Sequence, residues 1–164
     1  MSGLKFPEGF LWGSATSSYQ VEGGIDNNDW AQAARDGRVP LAGKACDSYN
    51  RYEEDFDIAK SLGQNAHRFS IEWSRIEPKQ GEIDEKALDH YEKMLQSAKA
   101  HGLKIFLTLH HFTVPLWYLK KGGFTKKQNI SDFIKFVQLI AHRLGEYVDF
   151  WITINEPEVY ATHA

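Results

Sequence analysis

The tetrapeptide Ile154-Asn155-Glu156-Pro157 follows the largely apolar run 147–153 and sets an amide beside a carboxyl group where a buried strand is predicted to open into a turn. A carboxyl group in the apolar company of Trp151 can keep its proton near neutrality and act as a general acid. Glycoside cleavage needs such an acid. The same residues also suit a plain turn, in which Asn155 and Glu156 satisfy backbone donors and Pro157 starts a helix at its first position. From these four residues alone both readings stand.

Arg68 lies in Ala66-His67-Arg68-Phe69-Ser70-Ile71, a run predicted to be a strand buried on both faces. A guanidinium there needs a carboxylate partner, and Glu72 or Glu156 could supply a purely structural one. His110 and His111 are neighbours on another predicted strand, so their rings point to opposite faces and cannot share a metal ion. Only one of them can face a site. Neither a metal nor a cofactor is predicted.

The elements that must position these groups follow from hydrophobic period. Apolar runs at 10–14, 66–71, 104–109 and 150–154 read as four strands, each buried on both faces. Between them lie stripes of helical spacing: Tyr52, Phe56, Ala59 and Leu62; then Ala87, Leu88, Tyr91, Met94, Leu95 and Ala98; then Ile130, Phe133, Ile134, Val137, Ile140, Ala141 and Leu144. Gly63, Gly102 and Gly145 follow these stripes and are predicted to end the helices in a left-handed conformation, and Asp84 is predicted to cap the second. Helix-containing connections make the sheet parallel. The exception is the polar, Gly-rich stretch 21–47, read as a long loop at the C-terminal end of the first strand, where parallel sheets build their sites.

The chain has 164 residues, 42% hydrophobic and 25% charged, which is the composition of one globular domain. A net charge of −3 leaves no electrostatic footprint for nucleic acid or an anionic membrane. Cys46 is the lone cysteine, the first residues lack a secretion leader, and no apolar run reaches membrane-spanning length, so a soluble cytoplasmic protein is expected. Asn129-Ile130-Ser131 is read as a helix start rather than a glycosylation site.

Four segments together resemble the glycoside hydrolases of family 1, the β-glucosidase and β-galactosidase family. They are residues 6–23, from Phe6-Pro7-Glu8-Gly9 to Val21-Glu22-Gly23; Arg68-Phe69-Ser70-Ile71-Glu72-Trp73-Ser74-Arg75-Ile76; Thr108-Leu109-His110-His111-Phe112-Thr113-Val114-Pro115; and Thr153-Ile154-Asn155-Glu156-Pro157. The resemblance implies an α/β fold, the N-terminal (β/α)4 half of a (β/α)8 TIM barrel, with residues 1–164 as one half of a single barrel domain and the C-terminal half absent. It also implies a retaining β-glycosidase acting on terminal β-linked sugars, with a β-linked glycoside or monosaccharide as ligand.

By the same resemblance Glu156 is the general acid and base, Asn155 donates to the sugar 2-hydroxyl, and Gln20 and His111 contact the sugar. Arg68 would keep the nucleophilic Glu ionised. His110 is left to packing. Phe112 stands where many family members carry Trp, which keeps a flat face and removes an N–H donor. The family nucleophile lies in a seventh-strand motif that this sequence lacks, so the chain is expected to be inactive without a C-terminal half-barrel chain. Two open sheet edges lead to the same expectation of association, with that complement or, as an inactive scaffold or weak sugar binder, with itself.

Overall fold

A computed structural model describes residues 5–163. Four strands, β1 (Gly13–Ala15), β2 (Ala66–Ser70), β3 (Lys104–His110) and β4 (Phe150–Ile154), form one parallel sheet in the order β1-β2-β3-β4. The helices are α1 (Ser18–Val21), α2 (Asp29–Arg35), α3 (Ser48–Ser61), α4 (Trp73–Ile76), α5 (Glu85–Ala100), α6 (Leu116–Lys120), α7 (Ile130–Leu144) and α8 (Pro157–His163). The parallel order with helices in every connection is as the hydrophobic period predicts, and it is the architecture of the (β/α)4 half-barrel that the family resemblance implies.

The core lies between the sheet and its helices. Leu88, Tyr91, Leu95 and Ala98 of α5 pack with Phe69, Ile105 and Leu107 of the strands and with Phe136, Ile140 and Leu144 of α7. Leu95 and Leu107 are wholly buried, so truncating either to Ala removes on the order of 2–5 kcal/mol. Asp84 caps α5 by accepting from the N–H groups of Lys86 and Ala87. Gly63 and Gly102 take positive φ after α3 and α5, and Gln64 N–H to Ala59 O and Leu103 N–H to Ala98 O close the helix ends.

Several local expectations are corrected. The predicted strand 10–14 pairs only from Gly13, whose missing Cβ lets β1 approach Ala66 closely; a Cβ there would lie 2.4 Å from the Ala66 carbonyl oxygen. Phe10 and Trp12 instead join Phe6 in an exposed aromatic cluster with ring centroids 4.5–4.8 Å apart. Nor are all strands covered on both faces. All three β1 residues are exposed, as are Phe150 and Trp151 of β4, because both are edge strands, each paired on one side only.

Gly145 has right-handed φ, not left-handed, because the chain tightens into a 3-10 turn, Gly145–Tyr147, closed by Val148 N–H to Gly145 O. The stretch 21–47 is not one loop: it contains α2, capped by Asn28 Oδ1 accepting from Ala31 N–H at 2.7 Å. On α7, Phe136 joins the core, whereas Ile130, Ile134 and Ala141 are exposed. These last three sit at helical spacing on a flank that no element of this chain covers. Helix α7 does begin at Ile130, with the Asn129 amide buried and donating to the carbonyls of Lys121 and Gly123.

Candidate active site

Of the residues singled out from sequence, His111, Asn155 and Glu156 directly follow the C-terminal ends of β3 and β4, Gln20 lies in α1 just after β1, and Arg68 is in the middle of β2. After β1 the chain turns at Ser17 into α1, and Ser18 N–H donates to Ser70 Oγ at 2.8 Å, tying this turn to the end of β2. After β4, Asn155 N–H donates to His110 O at 2.9 Å, tying the fourth strand end to the third. Ser18 and Asn155 thereby anchor flanking segments to β2 and β3.

Arg68 is half-buried. Its Nε donates to Thr108 Oγ1 at 3.0 Å and its Nη2 to Asn155 Oδ1 at 2.5 Å. The expected carboxylate partner is not there: among the described residues Arg68 makes no ion pair, and neither Glu72 nor Glu156 bonds to it. Neutral oxygens suffice because the guanidinium is only partly withdrawn from solvent. The bond to Asn155 has a chemical consequence. It fixes which end of the amide faces Arg68 and leaves Nδ2, a pure donor, for another partner.

His111 and Gln20 line one cavity of about 30 Å³, together with Tyr19, Trp30 and Phe112. Burial, and after it the Arg68 guanidinium, push the His111 pKa down to about 4, so the ring is neutral at pH 7. Its Nδ1 is buried and without a partner among the described residues, as is the Tyr19 hydroxyl. Gln20 Oε1 accepts from Ser17 Oγ at 2.7 Å, which leaves the Gln20 amide nitrogen as a donor. His110 points elsewhere, with Phe124, Phe133 and Tyr160 around its ring at centroid distances of 5.2, 6.1 and 4.9 Å. The adjacent histidines therefore divide as strand geometry requires.

Glu156 is exposed and takes a left-handed φ of 44°, and Tyr160 N–H donates to its carbonyl at the start of α8. The expected apolar wall is not made by Trp151. That residue pairs in register with the buried Leu107 and its ring lies next to Gly145 at the end of α7, on the helix side of β4. Phe112, directly after His111, is left-handed too, with φ of 67°. A non-glycine residue in this region costs on the order of 1–2 kcal/mol, and such strain clusters where side chains must be aimed. Of the four such residues among those described, Phe112 and Glu156 directly follow His111 and Asn155, whereas Ala45 and Asp47 lie in the turn before α3.

Two groups near the site, Trp30 and Tyr19, were given no role from the sequence, and a third, Glu72, was considered only as a partner for Arg68. Trp30 reaches the cavity because α2 starts at Asp29, whose Oδ1 accepts from the N–H groups of Trp30 and Val114 and whose pKa burial raises to about 7. Tyr19 closes the same cavity, and Glu72 bonds to three segments around it. The Asn28-Asp29 pair, a helix-start signal inside a presumed loop, could have disclosed Trp30.

Comparison with known proteins matches the family model "Glycosyl hydrolase family 1" over residues 3–164. Beta-glucosidase A of Thermotoga maritima is 38% identical over 98% of this chain, and the beta-glucosidase of an Agrobacterium species 36% identical over 98%. Among solved structures, a beta-glycosidase from Pyrococcus horikoshii superposes with a TM-score of 0.92 at 43% identity over 97% of this chain. The Thermotoga maritima beta-glucosidase bound to a glucoimidazole superposes with 0.93 at 37% identity over 98%. The chain spans 38–39% of the length of each of these four proteins. A family model that matches nearly the whole sequence, together with the shared half-barrel, establishes that this chain belongs to glycosyl hydrolase family 1.

Proposed function

We propose that this chain supplies the acid/base half of a retaining β-glycosidase site, acting on a terminal β-linked sugar such as a β-glucoside. Glu156 protonates the departing glycosidic oxygen and then takes a proton from the attacking water. Asn155 donates through Nδ2 to the sugar 2-hydroxyl, and Gln20 and His111 hold further hydroxyls. The bond from Arg68 to Asn155 Oδ1 carries this reading, since it engages the amide oxygen and leaves Nδ2 as the donor on the residue that precedes the exposed Glu156.

Retention requires a second carboxylate about 5 Å from the first. It would come from the part of the barrel that lies outside the 38% this chain shares with its relatives, and Arg68, bonded here only to neutral oxygens, offers its positive charge to that group. Exposed Ile130 and Ile134 on one flank and Ile58 and Leu62 on the other are the seams for this C-terminal half. A single exposed cysteine, Cys46, suits a reducing cytoplasm. The experiment is to combine the chain with its complementary half, supply an aryl β-glucoside and follow the product by NMR. The β-anomer should appear first; no turnover, or the α-anomer first, overturns the proposal.

A further inference from the structure

Glu72 lies two residues beyond the end of β2 and is entirely buried, yet no cation pairs with it among the described residues. Its Oε2 accepts from Ser18 Oγ at 2.9 Å and from Thr113 Oγ1 at 3.0 Å, and its Oε1 from Ser74 Oγ at 2.6 Å and Asn28 Nδ2 at 3.2 Å. Four donors occupy the roughly four acceptor positions that two carboxyl oxygens offer. The main chain is fixed as well, with Glu72 N–H donating to Tyr91 Oη, which in turn donates to Glu22.

Three of these donors share a placement. Ser18 precedes Gln20 by two residues, Asn28 precedes Trp30 by two, and Thr113 follows His111 by two. Gln20, Trp30 and His111 all line the one small cavity. The first two segments lie in the β1–β2 connection and the third in the β3–β4 connection; 28–30 and 111–115 are also tied by Asp29 N–H to Val114 O at 3.1 Å and Val114 N–H to Asp29 Oδ1 at 3.0 Å, and the Glu72 carboxyl group bonds to all three segments.

We propose that Glu72 is a positioning residue that holds these three segments in mutual register, so that the sugar-facing side chains are set before a ligand arrives. This rests on the glycosidase reading for what the cavity holds, but not for the register itself. Preorganisation of this kind affects binding and turnover through the positioned groups, so its loss and the loss of those groups are not independent.

Glu72→Gln in the assembled barrel tests it. Asn28 Oδ1 is held by Ala31 N–H, so its Nδ2 can only donate here; the one remaining acceptor oxygen stays with Asn28 and Ser74, and an NH2 group faces Ser18 and Thr113. Amide hydrogen exchange should quicken by about tenfold or more at 18–20 and 111–113 and stay unchanged in β2 and β3. For an aryl β-glucoside, kcat/KM should fall about tenfold, and Glu72→Gln combined with Gln20→Ala should lose no more than about twofold beyond Gln20→Ala alone. Unchanged exchange in both loops, or losses that multiply, overturn the inference.

Should Glu72→Gln fail to fold, Thr113→Val removes one donor at constant size. Faster exchange at 18–20 then supports the hub, and a change confined to 111–115 overturns it. Exchange needs no turnover, so a positive exchange result from an assembled protein without glycosidase activity would uphold the register and count against the glycosidase reading alone.

Discussion

Arg68 Nη2 meets Asn155 Oδ1 at 2.5 Å across 87 residues of sequence, joining the second strand to the end of the fourth. The contact decides which end of the Asn155 amide is free. Removing that freedom should matter more to chemistry than to folding. Asn155→Asp keeps a partner for Arg68 as an ion pair and loses the donor. Thermal stability should be retained, while kcat/KM of the assembled enzyme for a β-glucoside falls by about 10²–10³ and far less for the 2-deoxy analogue. Equal losses on both substrates would mean that Asn155 does not address the 2-hydroxyl.

Burial pushes the His110 pKa from 6.5 to about 4, and neither ring nitrogen has a partner among the described residues. The unfolded chain therefore takes up a proton near pH 6.5 while the folded chain resists until about 4. Stability is lost as pH falls through that window. His110→Phe removes the proton site and keeps the contacts with Phe124, Phe133 and Tyr160. Urea denaturation should show the variant gaining on the wild type between pH 7 and 4, by at most about 3 kcal/mol. Parallel pH curves would show that His110 is not held neutral.

Ile134 is 50% exposed on α7, beside Ile130 at 41%. Ile134→Asp should leave the fold of the chain unchanged, because the position faces away from the core. Affinity for the complementary half should fall by about 2 kcal/mol or more, close to 30-fold, as for a central interface residue. Titration calorimetry or sedimentation would read this. Unaltered affinity would place the seam elsewhere.

Much of the framework was legible because β2, β3 and α5 bury the same residues that periodicity selects, and because Gly63, Gly102 and Asp84 are local end signals that need no tertiary partner. β1 and β4 were misjudged as buried on both faces since burial depends on a strand's place in the sheet, and both stand at its edges. Gln20, His111 and Asn155 were placed at strand ends and Arg68 within a strand, and the structure pairs Arg68 with Asn155 and sets Gln20 with His111 in one cavity. Glu72 as a hub escaped notice for a different reason: its bonds to Ser18, Asn28 and Thr113 span 54, 44 and 41 residues and leave no periodic trace. The left-handed Phe112 and Glu156 were equally hidden, because neither is the glycine or asparagine that usually announces such a turn.

The central claim is that Glu156 donates a proton to the leaving oxygen, and leaving-group dependence addresses it most directly. In the assembled protein, Glu156→Gln should lower kcat/KM by about 10²–10⁴ for an alkyl β-glucoside, whose oxygen needs protonation. With a 2,4-dinitrophenyl leaving group, which departs unprotonated, bond cleavage should slow by less than about tenfold. Losses of equal size for both substrates, or no loss for either, would contradict the account.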